Sequence, residues 1–156
     1  RVANCESCKL VGQAGEKRKL DMPQSDPSRG KWDTPGGAQP AGGNGRFGFS
    51  EPKTLPDGRT VDGIEFKNGA PVFDDYVKGG KHDLWEMSGD VKTDTRSLTK
   101  MMRETDPNWK PPSDTDYVLH HFEDGKVGYV PRVIHDKADG GVAHTGGNSM
   151  TNNALF

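Results

Sequence analysis

The chain has 156 residues, a formal net charge of -2 and a hydrophobic content of 30%. This length suits one compact domain, or one domain with an extended region. No apolar run is long enough to cross a bilayer, no heptad or collagen repeat is present, and the balanced charge excludes a generally basic nucleic-acid coat.

The first 60 residues are rich in chain breakers. Glycine and proline make up about 27% of this stretch, a share typical of loop-rich or low-complexity segments. Apolar residues recur there without a clear period. We therefore predict an irregular, loop-rich or partly disordered extension over residues 1–60, with short strand pairing near Phe47 and Phe49.

The start of the chain leaves several alternatives open. The first residue is Arg1 and not methionine, which favours a processed or excised piece of a longer polypeptide. Cys5 and Cys8 form a C-x-x-C pair without the second pair that a zinc ribbon needs. Two thiols in a mobile terminus, a local disulfide and a shared metal ion remain alternatives.

A folded domain is predicted over residues 61–156. Alternating apolar residues lead to Asn68-Gly69, the strongest two-residue hairpin signal. Residues 94–105 have the apolar spacing of an amphipathic helix. The predicted cap of this helix is Asp94 or Thr95, and its apolar face comprises Leu98, Met101 and Met102.

A strand–turn–strand–helix unit follows. The turn Asp124-Gly125 joins predicted strands over residues 117–121 and 126–130. A helix is predicted over residues 131–138, because the proline at its start suits the first helical position. Four of the five histidines fall in or just after this unit: His120, His121, His135 and His144.

This concentration of imidazoles indicates a chemical site. Imidazole is the commonest neutral metal ligand and the usual general base near neutral pH. Successive side chains of a strand point to opposite faces, so we predict that one of His120 and His121 faces a metal ion and the other faces substrate or water. A divalent ion beside a free imidazole suits phosphodiester hydrolysis, which needs charge neutralisation and a proton acceptor.

Taken together, the motifs resemble the HNH/endonuclease VII superfamily of bacterial toxin nucleases, and within it the subfamily named for a Leu-His-His motif. The resemblance covers about residues 61–150, and the joint spacing of its parts makes it specific. The parts are the lead-in over residues 64–73, Tyr117-Val118-Leu119-His120-His121, Gly125-Lys126, Val130-Pro131-Arg132, Ile134-His135-Asp136 and His144-Thr145-Gly146-Gly147.

The resemblance implies a ββα-metal fold, in which a hairpin and a helix hold a single divalent ion. By position, His120, His135 and His144 would be the metal ligands, and His121 the general base that activates water. The last two ligands usually lie about one helical turn apart in the family. Here they are nine residues apart, so Asp136 is a reserve ligand.

Two arginines are candidate substrate-binding residues. Arg132, at the predicted helix start, would contact a substrate phosphate, but it could equally pair with Asp136 one turn on. Arg96 is a candidate phosphate clamp, although an arginine near a helix start is usually solvated.

The implied function is that of a metal-dependent endonuclease acting on DNA. The chain would be the toxic C-terminal part of a secreted or contact-delivered effector that acts in the cytoplasm of the target bacterium. Its cofactor would be one divalent ion, Mg²⁺ in activity, with Zn²⁺ or Ni²⁺ also bound because imidazole prefers them. Its partners would be DNA and a cognate immunity protein, without membrane insertion.

Three other interpretations stay open. RNA is an alternative substrate, because a small site of this kind reads backbone geometry with few base contacts. A non-catalytic, zinc-stapled binding module would also explain the histidines. An adaptor role for residues 1–60 is the third.

Overall fold

The computed structural model describes residues 22–142 and residue 144, so Cys5 and Cys8 lie outside the described residues. Within that part the fold is mixed, with two small antiparallel sheets and two α-helices, which confirms the predicted α+β class. The elements are β1 Gly30–Trp32, β2 Gly45–Thr54, β3 Thr60–Lys67, β4 Ala70–Pro71, β5 Lys78–His82, α1 Val91–Thr105, β6 Tyr117–His121, β7 Val127–Pro131 and α2 Arg132–His135. No helix of the described part combines the length and the apolar composition that a membrane span requires.

The first sheet has the order β1-β2-β3-β4. The predicted hairpin at Asn68-Gly69 is confirmed, because β3 and β4 pair on either side of it. Asn68 has φ 52° and Gly69 has φ 84°, the positive values that a tight two-residue hairpin turn demands of both central residues. This turn leads the chain from the first sheet towards Phe73.

The first sheet corrects the expectation for residues 1–60, as far as the structure describes them. Strand β2 pairs with β3 across residue 60, and Trp32 and Phe47 are almost fully buried. Residues 22–60 are therefore built into the fold and do not form an irregular extension. Some of the glycines that suggested loops permit close strand contact: a Cβ on Gly30 would lie 2.1 Å from the backbone oxygen of Gly48.

Trp32→Ala should lower the free energy of unfolding by about 3–5 kcal/mol. The indole packs edge-on against Phe47 and Phe66, with ring centroids 5.5 and 5.0 Å away, and its Nε1 donates a hydrogen bond to the Pro23 carbonyl at 2.7 Å. Urea denaturation measures the loss. Trp85 is 52% exposed, so Trp85→Ala is the control and should change stability by no more than about 0.5 kcal/mol. If both changes lowered the free energy of unfolding equally, residues 22–60 would not belong to the cooperatively folding core.

The second sheet has the order β5-β7-β6, and helix α1 packs on one of its faces. Leu98 is fully buried there, and Met101 and Met102 pack beside it, which confirms the predicted apolar face. The predicted cap is wrong by one turn. The helix begins at Val91, because the Asp90 side chain accepts a hydrogen bond from the Thr93 backbone N–H at 2.9 Å.

Strand β6 presents its two histidines to opposite sides of the second sheet. Tyr117 and Leu119 belong to the core that includes Leu98 of α1. The two-residue period of a strand directs His121 to this same side and His120 to the other side. On that other side lies the second core, which joins β7 and α2 to the first sheet.

Helix α2 is shorter than predicted. It ends at His135 instead of residue 138, because Asp136 adopts an extended conformation with φ -90° and ψ 122°. A 3₁₀ turn, Lys137–Asp139, follows. Pro131 is the last residue of β7, so it precedes the helix rather than occupying its first turn.

Candidate metal centre

Three of the predicted site histidines converge behind the β6–β7 hairpin. His120 comes from β6, His135 from the last position of α2, and His144 from the segment after it. Each offers one nitrogen, and these three atoms lie within 4.8 Å of one another. His120 Nδ1 and His135 Nε2 are 3.0 Å apart. The arrangement is close enough for three imidazoles to hold one metal ion.

The nine-residue separation of the last two histidines is absorbed by a tight reversal of the chain. The Val142 backbone N–H donates to the Ile134 carbonyl at 3.0 Å, and the Gly141 N–H donates to the Asp136 carbonyl at 2.9 Å. A Cβ on Gly141 would lie 2.5 Å from the Ile134 backbone, so glycine is needed for this approach. As a result, the His144 ring centroid is 4.5 Å from that of His135.

A single buried aromatic ring lies against all three imidazoles. Phe73 is fully buried, and its centroid is 5.1, 5.6 and 5.5 Å from those of His120, His135 and His144. Phe73 is the last residue of the lead-in over residues 64–73, for which no role in the site was predicted. Nothing local in the sequence indicates this contact, which arises from packing of the first sheet against the hairpin.

Hydrogen bonds on the outer nitrogens orient two of the rings. His135 Nδ1 lies 2.7 Å from Asp136 Oδ1, and His144 Nδ1 donates to the Val142 carbonyl at 2.8 Å. A neutral imidazole that donates through Nδ1 keeps its lone pair on Nε2. Both Nε2 atoms are therefore available as metal ligands. Asp136, considered as a reserve ligand, supports His135 from outside the cluster.

The surroundings of the cluster keep His120 and His144 uncharged, which favours binding of a cation. Burial, with the nearby His135, lowers the pKa of His144 to about 4. Burial and the neighbouring imidazoles also hold the pKa of His120 well below its ordinary value. Both rings are therefore neutral at pH 7 with free lone pairs. A cluster of three imidazoles fits divalent transition metals such as Zn²⁺ and Ni²⁺.

Asp136→Asn should weaken binding of a divalent ion by about 10- to 100-fold, the usual effect of losing a carboxylate that orients a ligating histidine. The His135 hydrogen bond lowers the pKa of Asp136 despite its partial burial, and Arg132 lowers it further, so the carboxylate is charged when it accepts from the ring. Isothermal titration with Zn²⁺ measures the change. Asp139→Asn is the matched control, because Asp139 is exposed in the next turn. If Asp136→Asn and Asp139→Asn bind Zn²⁺ with the same affinity, Asp136 does not have this role.

The fourth predicted histidine, His121, lies on the opposite side of the sheet and has a different partner. Its Nε2 is 2.8 Å from Oδ2 of Asp94 on helix α1, and both side chains are almost fully buried. Asp94 was predicted to be a helix cap, so this contact was not predicted. One signal was available: Asp94 lies four residues before Leu98, on the apolar face of the helix, where a carboxylate needs a partner.

The two predicted substrate-binding arginines lie away from the histidines. Arg132 Nη1 donates to Asp136 at 2.8 Å and its Nε donates to the Asp114 carbonyl at 2.6 Å, so its guanidinium is engaged within the protein. Arg96 is exposed on α1, on the face opposite to Leu98. The structure thus places Arg132 behind a metal ligand and Arg96 on an open surface.

A cavity of about 320 Å³ lies beside the end of β6. His120 and His121 both line it, together with Lys67 and Lys81. Lys81 is held by ion pairs with Asp74 at 3.0 Å and with a second carboxylate on the hairpin turn. The cavity wall therefore carries two ammonium groups and also the carboxylates of Asp74, Glu123 and Asp124.

No protein-family model matches the chain, and no curated protein matches it either. The likeness to the Leu-His-His nucleases is therefore a likeness of motifs, and the function has to be argued from the site.

Proposed function

We propose that this chain is a metal-dependent endonuclease whose ββα-metal site consists of β6, β7 and α2. The proposal rests mainly on one observation: the two neighbouring histidines of β6 have different partners. His120 joins a cluster of three imidazoles, whereas His121 stays out of the cluster and is held by a carboxylate. A metal ligand and a base at consecutive positions of β6, both among the residues that line one cavity, suit hydrolysis of a phosphodiester.

The proposed reaction assigns a separate task to each group. His120, His135 and His144 would hold one divalent ion, which when bound neutralises charge on the phosphoryl oxygens. The His121 ring accepts the proton of the water that attacks phosphorus, while the bond to the 3′-oxygen breaks.

The surface of α1 supports an anionic polymer as substrate. Exposed basic side chains recur at intervals of four, four and three residues along its outer face: Lys92, Arg96, Lys100 and Arg103. This spacing keeps them in one stripe, opposite the buried Leu98. Since the whole chain carries a net charge of only -2, we expect phosphate contacts to come mainly from this stripe, and binding should weaken with salt in proportion to their number.

Incubation of the purified protein with supercoiled plasmid and with total RNA tests the proposal. Each substrate is offered with Mg²⁺, with Mn²⁺ and with EDTA. We expect nicking and linearisation of the plasmid with a divalent ion and none with EDTA. Degradation of RNA alone would assign the same site to an RNase. Intact substrates under all metal conditions would refute the nuclease.

A non-catalytic, zinc-stapled binding module is the second candidate. The observation in its favour is burial of the cluster: His120 is only 5% exposed, and Phe73 packs on all three rings. A structural ion stabilises the fold outright, so a chelator would melt the domain. A catalytic ion predicts a folded but inactive chelated protein, which circular dichroism with EDTA distinguishes.

The biological setting is proposed on the motif resemblance. The nuclease would be the toxin of a secreted or contact-delivered effector, acting on DNA in the cytoplasm of the target bacterium. A cognate immunity protein would block the site. Growth arrest on cytoplasmic expression, relieved by His121→Ala, tests the toxin role.

A further inference from the structure

The carboxylate of Asp94 is surrounded by hydrogen-bond donors. Its side chain is 0% exposed. Oδ1 accepts from the backbone N–H and the hydroxyl of Ser88, each at 2.9 Å. Oδ2 accepts from the Gly89 backbone N–H at 3.1 Å and faces His121 Nε2 at 2.8 Å. These four contacts use the roughly four lone-pair positions of a carboxylate.

The hydrogen on His121 is thereby assigned to one ring nitrogen. Burial raises the pKa of Asp94, but the hydrogen bonds from His121 and Ser88 outweigh it and hold the pKa below its ordinary value. An ionised carboxylate only accepts, so His121 donates through Nε2. In the neutral ring the lone pair is then on Nδ1. No residue of the described chain, 22–142 and 144, forms a hydrogen bond to that atom.

We propose that Asp94 is a positioning residue, which holds His121 with its hydrogen on Nε2 and so leaves Nδ1 to accept the proton of the attacking water. This inference rests on the nuclease function proposed above. Asp94 acts through His121 alone. It is buried on the inner face of α1 and is not among the residues that line the cavity beside His120 and His121. The helix thus contributes to the site although it lies outside the hairpin and α2.

Asp94→Asn is the discriminating variant, because it keeps the shape and replaces two acceptor positions by an NH₂ group. With the NH₂ in place of Oδ2, this group would donate to His121 Nε2 and move the ring hydrogen to Nδ1, while the hydrogen bond from the Gly89 backbone N–H would be lost. We expect kcat to fall by between about 10-fold and 10⁴-fold. KM should stay unchanged, because Asp94 does not contact the substrate. Asp90→Asn is the control: it perturbs the start of the same helix without contacting His121, and should leave kcat within about twofold.

The tautomer itself is read from two-bond ¹H–¹⁵N spectra of protein labelled in its histidines, with His121 identified by the signals lost in His121→Gln. The parent should show hydrogen on Nε2, and Asp94→Asn should show it moved to Nδ1. Hydrogen on Nδ1 in the parent would overturn the inference. So would an active Asp94→Asn enzyme with the parent's kcat. If the parent cleaves no nucleic acid, the nuclease proposal fails, while the spectra still decide whether Asp94 sets the tautomer.

Discussion

His121→Ala should slow cleavage of nucleic acid by about 10²- to 10⁴-fold, the usual contribution of a general base. The protein should keep its metal ion, because His121 points to the side of β6 opposite to the three-imidazole cluster. Time courses of plasmid nicking at saturating Mg²⁺ measure the rate, and elemental analysis measures the bound metal.

A matched variant separates catalysis from packing. Alanine leaves the buried carboxylate of Asp94 with one donor fewer, which itself destabilises the site. In His121→Gln the amide N–H can still donate to Asp94, yet the side chain has no basic nitrogen. Both variants should be inactive, and the glutamine variant should melt closer to the parent. A glutamine variant that cuts at the parental rate would disprove the role of His121 as the base.

His120→Ala should reduce affinity for a divalent ion by more than the roughly 10- to 100-fold expected for an outer hydrogen-bond partner. It removes one of the three imidazoles whose nitrogens lie within 4.8 Å of one another in the described part of the chain. Cleavage should be lost with the ion. Titration with Zn²⁺ by calorimetry, at a temperature where both proteins are folded, gives the affinities.

The control for this prediction is another histidine of the same sheet. His82 lies on β5, outside the cluster, so His82→Ala should bind metal like the parent. His120 is almost fully buried, and thermal melting must show that the alanine variant still folds. Unchanged metal content in a folded His120→Ala protein would remove this residue from the ligand set.

The site was predictable where its geometry is local. The opposite directions of His120 and His121 follow from the two-residue period of a strand, and the hairpin around Asp124-Gly125 follows from its turn residues. Asp94 was assigned to a cap because the apolar pattern of α1 marks the helix face but not its first turn. Its pairing with His121, 27 positions along the chain, depends on how α1 packs on the second sheet.

Residues 22–60 show the same contrast between what the local sequence predicts and what packing decides. High glycine content suggested loops there, since glycine weakens isolated strands. In the sheet, however, Gly30 allows its strand to approach the backbone of Gly48, where a Cβ on residue 30 would clash. The stability of these strands comes from Trp32 and Phe47 in the core, a contribution that composition does not reveal.

The sequence by itself determined the α+β class, the Asn68-Gly69 hairpin, the apolar face of α1 and the strand alternation that separates His120 from His121. These features depend on neighbouring residues, whose periodicity and turn preferences act over a few positions. Only the tertiary structure decided that Phe73 lies against the three imidazoles, that Asp94 holds His121 and that Arg132 is engaged by Asp136. Most of these contacts join residues far apart in the chain, and even the local Arg132 pair had competing partners, so burial and packing of the whole domain selected them.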